Sequence, residues 1–399
     1  CARIKLGWCL GLCLYRHRFL VSNTIFVSAV DPSADYYGAE LVTALKAKDP
    51  SLRFIGIGGP QLEAAGVEII KNLVESSSIG FIEPMAHLPR LLSGLYAAKK
   101  HLKALPPDLF LPIDGQGFNI PLLKTANEAG VPCAYFIPPQ YWQWGKAESG
   151  QSIATLCKKI LCIFPQAARF YQDCNTDASY LGHPLLDRYP LKEYPIPSSI
   201  PSQLNTLCIF PGSRLQEIKH SAPVLLGAAK KLQESLPEFR CLISCIYPKY
   251  EARLRALCQK LGLNAEIVDW PSQELIPKAD FSLMSSGTIS LEHALLSKPS
   301  VVAYRFSAAS YWLIRRVVGK DFAKRVKYIS LPNILLEKEM LPEFLQAKAT
   351  PEALSNQVLS FLNSPAKHKQ FLADAKALRD KLGNEGCFDR AADAIIDAL

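Results

Sequence analysis

No stretch of this sequence carries about 20 uninterrupted apolar residues, the length a helix needs to span a bilayer, although 49% of the 399 residues are hydrophobic. The apolar residues are instead spread along the chain, which fits a soluble or peripheral protein with two well-buried cores. A CxxC pair is also missing. Of the twelve cysteines, Cys162, Cys208, Cys241 and Cys245 sit inside apolar runs, where a reduced thiol acts as a small hydrophobe. In a chain of this size that placement argues for reduced cytosolic thiols and against a disulfide scaffold. There is no Walker A loop, no full GxGxxG and no GxSxG elbow, so ATP hydrolysis, NAD chemistry and Ser-His-Asp hydrolysis are disfavoured. His183, in Gly182-His183-Pro184, stands alone and reads as structural, so no metal is expected. Zinc-finger spacing and interleaved aromatic-basic runs are absent as well, which sets nucleic acid aside as a partner.

What is present begins with charge. A formal net charge of +9 suits anionic partners such as phosphates or an acidic lipid surface. Residues 1–22 look foreign to the rest: Gly7 to Tyr15 is apolar but short, and Arg3, Lys5, Arg16 and Arg18 flank it. This segment reads as a membrane-proximal tail, and a start at Cys1 rather than methionine reads as a fragment or a processed product.

From Thr24 onward strand and helix patterns alternate. Strands are expected at Ile25–Val30, Phe54–Gly59, Leu109–Ile113, Cys133–Ile137 and Ile160–Phe164. Pro184, Pro190, Pro195, Pro197 and Pro201 mark a linker, and the pattern restarts at Thr206–Phe210, Cys241–Ile246, Ala265–Val268, Phe281–Met284 and Ser300–Tyr304. The expected fold is therefore α/β, two Rossmann-like domains facing a cleft: residues 23–190, a linker at 191–205, residues 206–365, and C-terminal helices over 366–399. Ligands of such sheets sit beyond the carboxyl ends of the strands.

Two turns stand out as phosphate cradles. In Pro211-Gly212-Ser213-Arg214, Gly212 permits close approach, backbone amides at a helix start face an anion, and Arg214 adds a forked donor. Ser286, Gly287 and Thr288 open a second helix, with Glu292 placed to accept ribose hydroxyls. Each turn serves equally well as plain structure, but the two together with Arg214 suggest a nucleotide diphosphate. Asp114, at a strand's carboxyl end, is the candidate general base, against a competing role as a turn cap through Gly115. Ser33 and Asp35 either hold an acceptor or cap a helix. Tyr141, Trp142 and Trp144 form an aromatic wall, more in keeping with packing than with a sugar platform. An apolar face built from Ile79, Phe81, Ile82, Met85, Leu88 and Leu91, followed by Lys99, Lys100 and Lys103, suits acyl chains and an anionic membrane, or else a core-facing helix.

In order along the chain, Asp31-Pro32-Ser33-Ala34-Asp35, Ile113-Asp114 with Phe118-Asn119, Tyr141-Trp142-Gln143-Trp144, Gly182-His183-Pro184, Pro211-Gly212-Ser213-Arg214 with Glu217-Ile218, Ser286-Gly287-Thr288 with Leu291-Glu292, and Ser330-Leu331-Pro332-Asn333 resemble the lipid-A-disaccharide synthase family. The resemblance implies a metal-independent, cofactor-free inverting glycosyltransferase of the GT-B type, acting in lipid A assembly. Its donor would be UDP-2,3-diacylglucosamine, its acceptor 2,3-diacylglucosamine 1-phosphate (lipid X), and its product a β-1,6 disaccharide 1-phosphate. By position Asp114, Arg214 and Asn333 match the family's essential polar residues, with Arg214, Asn333 and the Ser286–Thr288 turn on the UDP side. A homodimer exchanging C-terminal elements is implied, in the cytoplasm at the inner face of the cytoplasmic membrane. The sequence departs from the family at Ala34, where glycine is usual, and at Gly117, where a second aspartate is usual. Two other readings stay open: another UDP-sugar enzyme of the same fold, such as a 2-epimerase, and a catalytically silent binding protein.

Overall fold

A computed structural model of the chain describes residues 23–74, 84–144, 147–236, 238–285, 287–305 and 327–399. The membrane-proximal tail expected over residues 1–22, and Ile79, Phe81, Ile82 and Ser286, lie outside the described residues.

The first half carries β1 (Thr24–Ser28), β2 (Arg53–Gly58), β3 (Glu68–Asn72), β4 (Leu109–Pro112), β5 (Ala134–Phe136), β6 (Lys159–Cys162) and β7 (Ala178–Tyr180). Four strands pair in the order β3-β2-β1-β4 and three as β5-β6-β7. Single bridges, Phe110 to Cys133 and Ile113 to Phe136, join the two groups side by side. The second half carries β8 (Thr206–Phe210), β9 (Arg240–Ser244), β10 (Glu266–Val268), β11 (Phe281–Met284), β12 (Ser300–Tyr304) and β13 (Glu343–Leu345), in the order β10-β9-β8-β11-β12-β13. All these pairings are parallel. Central strands such as β1 and β8 are buried on both faces, which is why they read as unbroken apolar runs rather than alternating ones. Helices cover the sheets. That of Pro32–Lys48 follows local rules: Asp31 caps it through the amides of Ser33 and Ala34, Pro32 opens it, and Lys46 and Lys48 close it.

Residues 191–205 run as turns and loop, after which the second sheet begins. The chain then returns. The helix Pro365–Leu382 packs in the second half, against the helices Ile289–Leu295 and Leu331–Leu336. The helix Cys387–Ile396 lies on the first half, against Pro32–Lys48. Phe388 is buried there, its ring 6.4 Å from Tyr37 and 6.3 Å from Phe136.

The crossing is held by a polar clamp. Asp187 accepts from the amides of Gly386 and Phe388. Arg390 donates to the carbonyl of Leu181 at 2.6 and 2.9 Å. His183 donates its backbone N–H to Leu382 at 3.0 Å. Gly182 has φ +81°, and a Cβ there would stand 2.7 Å from the Asn384 carbonyl, so the clamp closes only over glycine. His183 is buried and its ring is pushed down to about 3, hence neutral; Nδ1 accepts from the Leu185 amide, consistent with the structural role expected of it. The nine cysteines among the described residues are unpaired, and all but Cys157 are buried.

Candidate active site

The carboxyl ends of β1, β4 and β5 lie side by side and deliver Asp31, Asp114 and Ile137. Asp114 and Ile137 both adopt left-handed backbone, at φ +46° and +58°. For a β-branched residue such as Ile137 this is strained, and strain of this kind persists where surrounding contacts over-determine it. Here they do. The Asp114 carbonyl accepts from Tyr135 Oη at 2.8 Å and from Asn119 Nδ2 at 2.7 Å. Asn119 is itself fully buried and takes the Ser28 hydroxyl at 2.6 Å.

This lattice aims the Asp114 carboxylate into the crevice. Water still reaches it, although protein surrounds it on most sides. Burial, and then the nearby charge of Asp31, push its pKa up to about 7, against the opposing N–H of Gly115 at 2.8 Å. A carboxyl that exchanges its proton near neutral pH is matched to removing a proton from a sugar hydroxyl.

Across the cleft, Gly212 has φ +108°, and a Cβ on it would stand 2.2 Å from Glu217 Oε2. The buried Glu217 fills that space and takes the amides of Ser213 at 2.8 Å and Arg214 at 3.2 Å. The expected amide cradle therefore needs correction, because those two N–H groups are satisfied inside the protein. The Arg214 guanidinium stays half-exposed, 3.3 Å from Glu217 Oε1 and within electrostatic reach of Asp31. The second turn is more open. Gly287 and Thr288 are exposed, and a Cβ at Gly287 would meet nothing within 4 Å.

Three residues singled out from sequence do other work. Asp35 is buried and accepts from the amides of Gly59, Gln61 and Leu62, so it caps the helix Pro60–Ala64 rather than facing an acceptor. Asn333 is fully buried, with Oδ1 on the amides of Met340 and Leu341 and Nδ2 on the Leu341 carbonyl and Glu343 Oε1. It knots the loop before β13 and does not reach the cleft surface. Glu292 is buried too, its Oε2 accepting from Tyr189 at 2.6 Å and Ser272 at 2.8 Å. Tyr189 belongs to the first half, so Glu292 sutures the halves, and a ribose hydroxyl would have to meet Oε1. Beside it the Arg188 guanidinium stacks on Tyr36 at 4.8 Å.

Ser33 is half-buried at the helix start beside Asp31. Trp142 packs on Phe164 and bonds Gln140, as a packing role requires. Leu88 is exposed and Leu91 half-buried against the core, so the helix Pro84–Ala104 serves core and surface at once. Met85 lies in its first turn. Asp31 and Glu217 stood in the motif blocks without a role of their own, and Tyr135 was not singled out at all. The register of β1 on β4 that sets Asp31 beside Asp114 has no local signature.

Gly117 occupies the first turn of the helix Gln116–Glu128, with open space where a Cβ would be. Gly117→Asp is therefore expected to fold and to gain about 1 kcal/mol, from lost unfolded-chain freedom and from a negative charge at a helix N-terminus. Urea melts of the two proteins check this, and a lower midpoint would show that the open space is not usable.

A lipid-A-disaccharide synthetase family model matches residues 25–394. The lipid-A-disaccharide synthase of Gloeothece citriformis is 33% identical over 384 residues, covering 94% of this chain and 99% of that protein. That of Neisseria meningitidis serogroup C is 31% identical over 387 residues, covering 94% and 98%. Among solved structures, S. aureus MnaA with UDP aligns at TM-score 0.62 and 12% identity, covering 95% of this chain and 98% of that one. The calicheamicin glycosyltransferase CalG4 aligns at 0.58 and 13%, covering 95% and 98%. At those identities the structural likeness speaks for the two-domain GT-B fold, whereas the sequence matches run nearly end to end, and on them the chain belongs to the lipid-A-disaccharide synthase family.

Proposed function

We propose that the chain transfers 2,3-diacylglucosamine from UDP-2,3-diacylglucosamine to the 6-hydroxyl of 2,3-diacylglucosamine 1-phosphate, with inversion, giving a β-1,6 disaccharide 1-phosphate and UDP. The observation that carries this reading is the Asp114 carboxyl, fixed in the crevice by Tyr135 and Asn119 and poised near neutral pH. In the reaction Asp114 takes the proton of the acceptor's 6-hydroxyl, O6 forms a bond to C1 of the donor sugar, and the C1–O bond to the diphosphate breaks. UDP leaves carrying the electron pair, and the Arg214 guanidinium faces the charge that develops on its phosphates. Ser33, Gly287 and Thr288 lie at the two helix starts that border the cleft, where acceptor and donor would be held.

The acylated substrates call for a membrane surface. Among the described residues no helix is long and apolar enough to cross one. Leu88, Leu92 and Tyr96, four residues apart on the helix Pro84–Ala104, are 46%, 54% and 70% exposed, and Leu105 follows at 66%. The stripe runs into a groove of about 730 Å³ lined by Lys99, Lys100, Lys103 and Lys124, with Glu128 paired to Lys103. Exposed leucines beside clustered lysines favour peripheral contact with an anionic bilayer. Burial of one such side chain is worth about 1.5–3 kcal/mol, so Leu92→Glu with Tyr96→Glu is expected to weaken cosedimentation with phosphatidylglycerol vesicles at least about tenfold. A homodimer exchanging the helix Cys387–Ile396 would reproduce the contacts that helix makes here, with the partner supplying it.

The reading is tested by UDP release from the donor, with and without acceptor. Acceptor-dependent release and a disaccharide product support it. Donor binding without release overturns it and leaves a silent binding protein, the reading that Gly117 favours. Release without acceptor points to a different UDP-sugar enzyme.

A further inference from the structure

The block that follows Asp114 supplies no second carboxylate, since Gly115, Gln116, Gly117, Phe118 and Asn119 stand there. Another carboxylate nevertheless stands at the site. Strands β1 and β4 are parallel neighbours whose last register pair is Ser28 with Pro112, and Ile113 N–H donates to the Ser28 carbonyl at 2.9 Å. Both chains leave the sheet together just beyond that pair, one into Val30-Asp31 and the other into Asp114-Gly115. They leave in contact, since a Cβ on Gly115 would stand 2.8 Å from Val30 Cγ2. Asp31 is held in place, its Oδ1 taking the amides of Ser33 at 3.1 Å and Ala34 at 3.0 Å.

We propose that Asp31 is the second acidic group of the transfer site, a positioning residue that acts through Asp114 by setting how tightly that carboxyl holds its proton. The proposal rests on Asp114 being the base, as argued above. The groups facing the pair are few. Asp31 repels the Asp114 charge, Arg214 across the cleft attracts that of Asp31, and Asp35 on the same helix repels it. Beneath Asp114 the Tyr135 hydroxyl is engaged on its carbonyl, and the first turn of the helix Gln116–Glu128 carries no acidic side chain. Two carboxyls so placed resist ionising together, and the second proton is retained to higher pH.

Asp31→Asn keeps an oxygen for the Ser33 and Ala34 amides and removes only the charge. Two measurements test it. In substrate-free protein labelled with ¹³C at aspartate carboxyls, the Asp114 midpoint is expected to move to lower pH by roughly one unit in Asp31→Asn and to return toward the wild-type value in Asp31→Glu. In turnover, the acid limb of kcat is expected to move the same way, with the donor KM little changed. A residue that only caps its helix would alter the melting temperature and leave both midpoints in place, which would overturn the proposal. If Asp31→Asn does not fold, the wild-type titration still decides: coupled, two-step curves for both carboxyls support the proposal, and independent one-step curves overturn it. Because the titration needs no substrate, failure of the transferase reading shows separately, as an absence of acceptor-dependent UDP release in the wild type.

Discussion

Asparagine at position 114 is expected to lower kcat by about 10²- to 10⁴-fold while leaving the fold intact, the range set by removal of a general base. The side chain keeps its shape and an oxygen for the Gly115 N–H, and asparagine tolerates left-handed backbone better than most residues. What disappears is the basic oxygen. The sign of the pH dependence follows from the raised pKa. Wild-type activity requires the ionised carboxyl, so it should fall about tenfold per unit below a limb near pH 7 and level off above it. Stability runs the opposite way. A carboxyl whose folded pKa lies above its unfolded value stabilises the fold in acid, and that contribution is lost as pH rises through the folded value. The asparagine variant should therefore hold its melting temperature better than the wild type does as pH rises from about 4 to 7. Rate profiles and thermal melts over pH 5–9 test both statements; an acid limb that survives in the variant would assign the base elsewhere.

Asn333→Ala should produce the second large effect, and on a different quantity. The side chain satisfies two buried amides, one carbonyl and one oxygen of Glu343, which itself accepts from Ser330 Oγ at 2.6 Å and from the amides of Ile329 and Ser330. Truncation strands several buried polar groups at once, at about 1–3 kcal/mol each. A total loss of about 3–5 kcal/mol is expected, visible as a clear drop in the urea midpoint. Calorimetry beside donor kinetics separates this from direct substrate contact. If Asn333 touched the nucleotide, the variant would keep its stability and raise the donor KM alone.

The central strands were legible because burial on both faces leaves an uninterrupted apolar run, and β8, β11 and β12 begin and end at the expected residues. The strands that were not read, β3, β7 and β13, all lie at sheet edges. They are three to five residues long and half-buried in places, and Glu68 and Lys71 in β3 break any apolar run. The site divides in the same way. Asp114 and Arg214 could be placed because each follows a strong strand signal and opens a turn. Asp35 and Asn333 sit in turns just as polar, but a sequence does not say which way a side chain faces, and both point inward to backbone amides. Glu217 was quoted in its motif without a role, because a glutamate in the first helical turn looks like ordinary dipole compensation until Gly212 is seen to leave room for it.

The helix Cys387–Ile396 closes the core of the half that is synthesised first. Until the ribosome has made Phe388, the surface around Tyr37 and Phe136 has no cover. Nor does the Gly182 turn have its partner strand of backbone at Asn384. The first half must therefore wait, partly open, through nearly 200 further residues of synthesis. At about 5–20 residues per second that delay is on the order of 10–40 seconds. During it the nascent chain presents an apolar face to chaperones, or to the tail of another copy that has already been completed.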